Sequence, residues 1–171
     1  MDTFFEQIIS IKKSPAKILG VVGIWFLALL ITVFFLLFKI PYIGALSPLI
    51  IFGALFGAFK LTTRFNVEYE YIITNGILDI DKIINKSSRK RYLSLDLTST
   101  SRIEKFNPGL INNVDKKSVT IACDVDDPNA YLIVVDKESG GASYLVMSPN
   151  EKIKGAIIKS VPKFISNSAF K

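Results

Sequence analysis

The sequence predicts an α+β protein in which a two-helix transmembrane hairpin precedes an antiparallel β-sandwich or barrel with a C-terminal capping helix. Three observations support this prediction. Two long apolar runs occupy residues 18–38 and 43–59. Short alternating segments separated by turn residues fill residues 65–147, and they amount to about seven strands. From residue 148 onward the apolar residues recur with a helical period.

Each apolar run is long enough to cross a bilayer. Neither run contains a charged residue, and a helix needs about 20 apolar residues to cross a hydrocarbon layer of about 30 Å. Because only residues 39–42 separate the runs, we expect residues 18–60 to form a tight hairpin. The absence of ionisable residues within the runs argues against a transport pathway. The sequence therefore favours an anchor.

Basic residues flank the two runs on their outer sides. Lys12, Lys13 and Lys17 precede the first run, Lys60 and Arg64 follow the second, and Lys39 lies between them. Positively charged residues favour the cytoplasmic side of a membrane. We therefore expect a multi-pass protein of the cell membrane, with both termini and the β domain in the cytoplasm.

The segment before the first run has its own pattern. Phe4, Phe5, Ile8 and Ile9 are spaced as on one face of a helix. This spacing predicts that residues 1–17 form an amphipathic segment lying along the inner leaflet. The alternative is that the apolar face packs on the β domain or on a partner chain.

Gly53 and Gly57 form a small-residue motif in the second run. Glycines four residues apart let two membrane helices approach closely. We expect this ridge either to pack on the first run or to contact a second copy of the chain.

The β domain begins with a clear hairpin. Apolar and acidic residues alternate over residues 67–74, and Asn75-Gly76 follows, which favours a type I′ turn. Further strands are predicted at residues 77–84, 89–97, 99–106, 118–123, 130–135 and 142–147. Ser148 is the predicted N-cap of the last helix, and Pro162 should end or kink it.

This order of elements resembles small bacterial membrane proteins in which a transmembrane hairpin precedes a PH-like (pleckstrin-homology-like) domain. The residues that carry the resemblance are YEYIITNG at 69–76, the strand at 78–84, RKR at 89–91 and LSLDL at 93–97. The resemblance implies a PH-like fold for residues 65–171 and a membrane location. It implies no particular activity.

The composition argues against an enzyme. The chain has no histidine and one cysteine, Cys123, which removes histidine-based acid–base catalysis and most zinc sites. We identify no catalytic, cofactor-binding or metal-binding residues, and we predict Cys123 to be a small core residue. The basic residues do not form the dense stripe typical of nucleic-acid binding. We expect a non-enzymatic interaction module that recruits a protein partner or self-associates.

One basic cluster is a candidate contact surface. It comprises Lys82, Lys86, Arg89, Lys90 and Arg91, around the second predicted hairpin of the β domain. These residues can contact anionic lipid headgroups or an acidic partner. Alternatively, they are solvated charges that keep a strand edge soluble. The first interpretation makes the protein a sensor of anionic lipid, which is the alternative function.

Overall fold

The chain divides into two compact units. The structure is a computed structural model, and it describes residues 4–38, 44–137 and 140–170. A β unit contains Met1–Ile11, Glu68–Ile83 and Ser88–Lys171, and a helical unit contains Lys12–Val67 and Ile84–Ser87. The segment before the helices thus belongs to the β unit, although the predicted domain began only at residue 65.

The helical unit contains the two apolar runs. Helix α1 spans Pro15–Leu37, and helix α2 spans Ser47–Thr63 after a short 3-10 turn at Gly44–Leu46. Ser14 caps α1 by accepting a hydrogen bond from the backbone of Lys17. The two helices contact each other. The segments Pro15–Leu37 and Gly44–Thr63, the second of which includes the 3-10 turn, are long and apolar enough to cross a membrane. The predicted reversal at residues 39–42 lies outside the described residues.

The first sheet is a four-stranded antiparallel meander. Its strands are β1 (Phe4–Ser10), β2 (Val67–Thr74), β3 (Ile77–Ile84) and β4 (Ser88–Asp96), in the order β1-β2-β3-β4. Asn75 and Gly76 both have positive φ, at 49° and 88°. The predicted Asn-Gly hairpin is therefore confirmed, because a type I′ turn requires this conformation at both positions.

Strand β1 corrects the prediction of an N-terminal helix. Residues 4–10 pair with β2 in antiparallel register, and Phe5, Gln7 and Ile9 are half-buried while their neighbours are exposed. The same seven residues satisfy a helical spacing and a period of two, since Phe4-Phe5 and Ile8-Ile9 supply an apolar residue to either face. The long-range pairing with β2 decides between them, and local spacing carries no information about it.

The second sheet contains the remaining strands. They are β5 (Thr100–Lys105), β6 (Val119–Ile121), β7 (Tyr131–Asp136) and β8 (Ala142–Met147), in the order β5-β7-β8-β6. Strand β6 is shorter than the predicted segment 118–123, and it pairs parallel to β8. The expectation of a purely antiparallel domain is therefore wrong at β6. The described residues form eight strands in two sheets, namely seven within residues 67–147 and the additional strand β1.

The C-terminal helix begins two residues later than predicted. Helix α3 spans Glu151–Ser160, and its N-cap is Asn150, whose side chain accepts a hydrogen bond from the Ile153 backbone. Ser148 cannot cap the helix, because its hydroxyl donates to Asp127 Oδ2 over 2.8 Å. The break at Pro162 is confirmed, since α3 ends before it and a short helix α4 follows at Lys163–Ser166.

The core of the β unit lies between the two sheets and α3. Both sheets and the helix contribute side chains that are fully buried: Tyr71, Leu78, Ile80, Leu132, Leu145, Met147, Ile153 and Ile157. The Tyr71 hydroxyl reaches from the first sheet to the Ala122 carbonyl, over 2.7 Å. The predicted α+β class is confirmed, and α3 contributes the buried side chains of Ile153 and Ile157 to the core.

Candidate functional site

The helical pair is inserted into a β-hairpin. Strand β1 ends at Ser10, β2 begins at Val67, and Ser10 lies directly opposite Glu68 in the antiparallel register. The chain therefore leads from β1 into α1 and from α2 into β2 at the same end of the first sheet. Because the sheet is a meander, the β3–β4 turn lies at this end too, and the Asn75-Gly76 turn lies at the other.

The β3–β4 turn is fixed to the residues that follow α2. Asn85 and Lys86 have positive φ, at 52° and 56°, and the Asn85 backbone N–H donates to the Asn66 carbonyl over 2.8 Å. Asn66 is only three residues beyond the last residue of α2, Thr63. The turn that carries Lys86 is thus joined to the chain near the end of α2.

The predicted basic cluster is divided in two by its contacts. Arg89 pairs with Glu70 at 2.9 Å. Arg91 pairs with Asp79 at 2.8 Å and Asp81 at 2.7 Å. Three of the five cluster members have neighbours of their own, since Lys82 Nζ also lies 5.7 Å from the centre of the Tyr92 ring.

The other two members of the cluster are Lys86 and Lys90. Within the described part of the chain, neither forms an ion pair. Lys90 is exposed on β4, and Lys86 is exposed in the turn that precedes this strand. The geometry therefore leaves two ammonium groups available to an external anion.

A second candidate surface, which the sequence did not predict, is the outer edge of β1. Phe4 is 62% exposed and Ile8 is 53% exposed, and they lie on the same face as Glu6. Among the described residues, β1 pairs only with β2. An edge strand with unpaired backbone groups and exposed apolar side chains is a template for another strand.

Gln7 locks β1 to the start of α3. Its side-chain nitrogen donates to the Ser148 carbonyl over 3.1 Å, and its side-chain oxygen accepts from the Asn150 backbone N–H over 2.8 Å. Asp127 completes this network by accepting from the Ser148 hydroxyl and from the Asn129 backbone. These groups line a cavity of about 460 Å³, and their polar atoms are engaged with one another.

A buried carboxyl group belongs to Glu70 on β2, which lies opposite Ile8 of β1. Glu70 is only 1% exposed, Arg89 donates to its Oε1 atom, and its Oε2 atom is buried without a hydrogen-bond partner in the described residues. Burial raises the pKa of Glu70 above its ordinary value, Arg89 opposes this shift, and Glu6 adds to it. Burying a carboxylate oxygen without a hydrogen-bond partner costs free energy. The Glu70 carboxyl group is therefore a candidate site.

The single thiol belongs to the core. Cys123 is buried with Ala130, Leu132, Val134 and Val146, which confirms its prediction as a core residue. Burial raises the pKa of its thiol to about 12. A thiol in this state is chemically inert, because the thiolate is the reactive form.

The predicted helix-packing glycines do not approach α1 closely. Gly53 is exposed, and a Cβ atom built at Gly53 or Gly57 would meet no atom within 4 Å. Ala28 and Ala58 are instead the buried residues of the two helices. The structure therefore gives no support for packing of Gly53 and Gly57 on the first run. Contact of these glycines with a second copy of the chain stays a prediction.

The comparisons with known proteins agree with this architecture. A family model described as a bacterial PH-like domain, DUF6106, matches residues 1–167. No curated protein and no solved structure matches the chain. The match includes β1, both helices and both sheets, so it covers the helical insertion as well as the β unit. The chain belongs to the DUF6106 family of bacterial PH-like domains.

Proposed function

We propose that the protein is a membrane-anchored, non-enzymatic interaction module that binds a protein partner at the cytoplasmic face through the edge of β1. The observation that carries this proposal is the exposure of Phe4 and Ile8 on β1, whose outer edge pairs with no other strand among the described residues. Exposed aromatic and aliphatic side chains are the usual anchors of an interface. The backbone of β1 supplies the hydrogen bonds of an added strand.

The way in which β1 is held supports a binding role. Strand β1 is ordered by pairing with β2 and by the two hydrogen bonds of Gln7. A partner strand would therefore meet an edge that is already arranged, and would lose less entropy on binding. The Glu6 carboxylate between Phe4 and Ile8 favours a partner segment with a basic residue between two apolar ones.

Photocrosslinking from β1 in native membranes tests this proposal. The full chain carries p-benzoylphenylalanine at Phe4 or, as the control, at Phe164, which is 71% exposed on α4. We expect one adduct of defined mass from position 4 and none from position 164. Ile8→Ser should abolish the adduct without lowering the amount of protein in the membrane.

Two outcomes would contradict the edge as the binding surface. One is an absence of adducts at position 4, and the other is equal adducts at positions 4 and 164. An adduct of twice the mass of the chain would identify self-association through β1, and would replace a foreign partner with a second copy.

Contact with anionic lipid is the second candidate function. Lys86 and Lys90 lie at the end of the sheet from which the chain leads into both helices, and the turn containing Lys86 is bonded to Asn66. The three residues from Arg64 to Asn66 span at most about 11 Å. If α2 crosses the bilayer, this turn is held near its headgroups, where each basic residue contributes about 1 kcal/mol.

Hydrogen exchange in nanodiscs tests the lipid contact. The full chain is compared in phosphatidylcholine alone and in an equal mixture with phosphatidylglycerol. We expect slower amide exchange over residues 84–87 in the anionic discs. The change should disappear in Lys86→Gln/Lys90→Gln and persist in the control Lys116→Gln/Lys117→Gln, which alters an exposed basic pair elsewhere. Equal exchange in both lipids would reject this function.

A further inference from the structure

We propose that the buried Glu70 holds a proton on its side facing Glu6, across the β1–β2 pair, and that this proton fastens the N-terminal strand to the sheet. Glu70 is fully buried, and only one of its two oxygens has a donor, the guanidinium of Arg89. A proton on Glu70 Oε2 removes the cost of an ionised, unpartnered oxygen at this position. The ligand of this site is therefore a proton, and its binding is read from the stability of the chain without any partner.

The register brings Glu6 to the right place. Ile8 lies opposite Glu70, and Glu6 lies opposite Ile72. Directly opposed residues share a face of the sheet, so Glu6 and Glu70 are diagonal neighbours on its outer face. A neighbouring carboxylate disfavours ionisation, and Glu6 accordingly adds to the rise in the pKa of Glu70.

The charged groups around Glu70 favour its protonated form. The charged groups that β1, β2, β3 and β4 present around Glu70 are Glu6, Glu68, Asp79, Asp81, Arg89 and Arg91. Arg91 is occupied by Asp79 and Asp81, so only Arg89 compensates Glu70 directly. The carboxylates outnumber the guanidinium groups, which favours neutralisation of one carboxyl by a proton.

The sign of the pH effect follows from the direction of the shift. The pKa of Glu70 is raised in the folded chain, so the folded chain holds a proton that the unfolded chain has already released. Stability therefore falls as pH rises from the ordinary glutamate pKa through the raised one. One proton held in this way changes the folding equilibrium constant by up to about tenfold per pH unit.

The absence of histidine makes the pH dependence of stability measurable. The chain has no histidine, and histidine is the side chain that ordinarily titrates between about pH 5 and pH 8. A pH-dependent stability in this range therefore reports mainly on displaced carboxyl groups. The full chain in detergent micelles is heated at several pH values, and the unfolding of its β unit is followed by circular dichroism.

The variant Glu70→Gln mimics the protonated state. We expect the unfolding temperature of the wild-type chain to fall with rising pH, and that of Glu70→Gln to stay level. Glu68→Gln is the matched control, because Glu68 lies on the same face but is half-buried and accepts from Ser10. This control should keep the wild-type slope.

Infrared spectroscopy gives a second readout. A carbonyl band of a protonated carboxylic acid should be present in the wild-type chain just above the ordinary glutamate pKa of about 4.3. This band should fade as the pH rises and be absent from Glu70→Gln. If Glu70→Gln does not fold, Glu6→Gln replaces it, since Glu6 is exposed on β1; this variant should also lose the slope and the band. An unchanged slope in the folded variant, or a wild-type spectrum without the band, would overturn the proposal.

Discussion

Ser10 donates a hydrogen bond of 3.1 Å to Glu68, a residue 58 positions further along the chain. The two residues lie opposite each other on β1 and β2, and both apolar helices lie between them in sequence. The first sheet thus contains two neighbouring strands, β1 and β2, that the two helices separate in sequence.

We expect the helical pair to be removable. Because β1 and β2 are antiparallel neighbours, a short turn joining Ser10 to Glu68 should give a water-soluble, folded β unit. Circular dichroism and amide dispersion in NMR spectra measure the outcome. The matched control begins at Asn66 and lacks β1, which half-buries Phe5 and Ile9, so it should be less stable by about 2 kcal/mol. Equal stability of the two would show that β1 is not part of the sheet.

Gln7 should be the residue of β1 that is most sensitive to substitution. Gln7→Leu removes the part-buried hydrogen bond to the Ser148 carbonyl and the exposed one from the Asn150 N–H, and a typical hydrogen bond contributes about 0.5–1.5 kcal/mol. Chemical denaturation of the full chain in detergent measures the loss. Ser10→Ala removes an exposed hydrogen bond instead and should cost less than about 0.5 kcal/mol. Similar losses in the two variants would contradict a locking role for Gln7.

Tyr71→Phe should destabilise the join between the sheets. The Tyr71 hydroxyl donates to the Ala122 carbonyl and accepts from the Ser148 N–H. Both groups are left unpaired in the variant, at a cost of about 1–3 kcal/mol. Tyr92→Phe is the control, because Tyr92 is 47% exposed. Thermal unfolding should separate the variants clearly, and a neutral Tyr71→Phe would mean that water replaces the hydroxyl.

The membrane orientation can be tested by thiol labelling in cells. Native Cys123 is buried and the pKa of its thiol is raised to about 12, so we expect no background labelling. Tyr42→Cys, between the two apolar runs, should react with a membrane-impermeant maleimide from outside. Asp126→Cys, in an exposed loop of the β unit, should react only after the cells are opened. The reverse pattern would place the β unit outside the cytoplasm.

The small-residue face of α2 should tolerate methyl groups. In Gly53→Ala/Gly57→Ala the added carbons meet no atom of the described residues within 4 Å, so helix pairing should change by less than about 0.5 kcal/mol. Ala58→Leu is the control, since Ala58 is buried and overpacking costs about 1–3 kcal/mol. Energy transfer between labelled copies is measured in the same samples. A drop in transfer for the glycine variant would assign this face to a contact between copies.

Local sequence predicted the elements that depend on neighbours in the chain. The Asn75-Gly76 turn, strand β3 at Ile77–Ile84 and strand β8 at Ala142–Met147 agree with their predicted bounds. In each, a turn residue or a regular alternation specifies the backbone locally. The end of α3 before Pro162 is of the same kind, because proline disrupts a helix through its own ring.

The predictions that were wrong depend on distant partners. Strand β1 exists because β2 lies beside it, and the parallel pairing of β6 depends on its place beyond β8. The true N-cap of α3 is Asn150 because Asp127 and Tyr71 engage Ser148. The basic cluster was found in sequence, but its division into paired arginines and available lysines depends on the acidic residues of β2 and β3.

The insertion of the helices within a β-hairpin also constrains how the protein is made. Strand β1 leaves the ribosome first, and its partner β2 follows only after both helices have been synthesised. The first sheet therefore cannot close until both helices have been synthesised. Closure of this sheet is thus a late step of synthesis, and a chain interrupted within the helices leaves β1 without its partner strand.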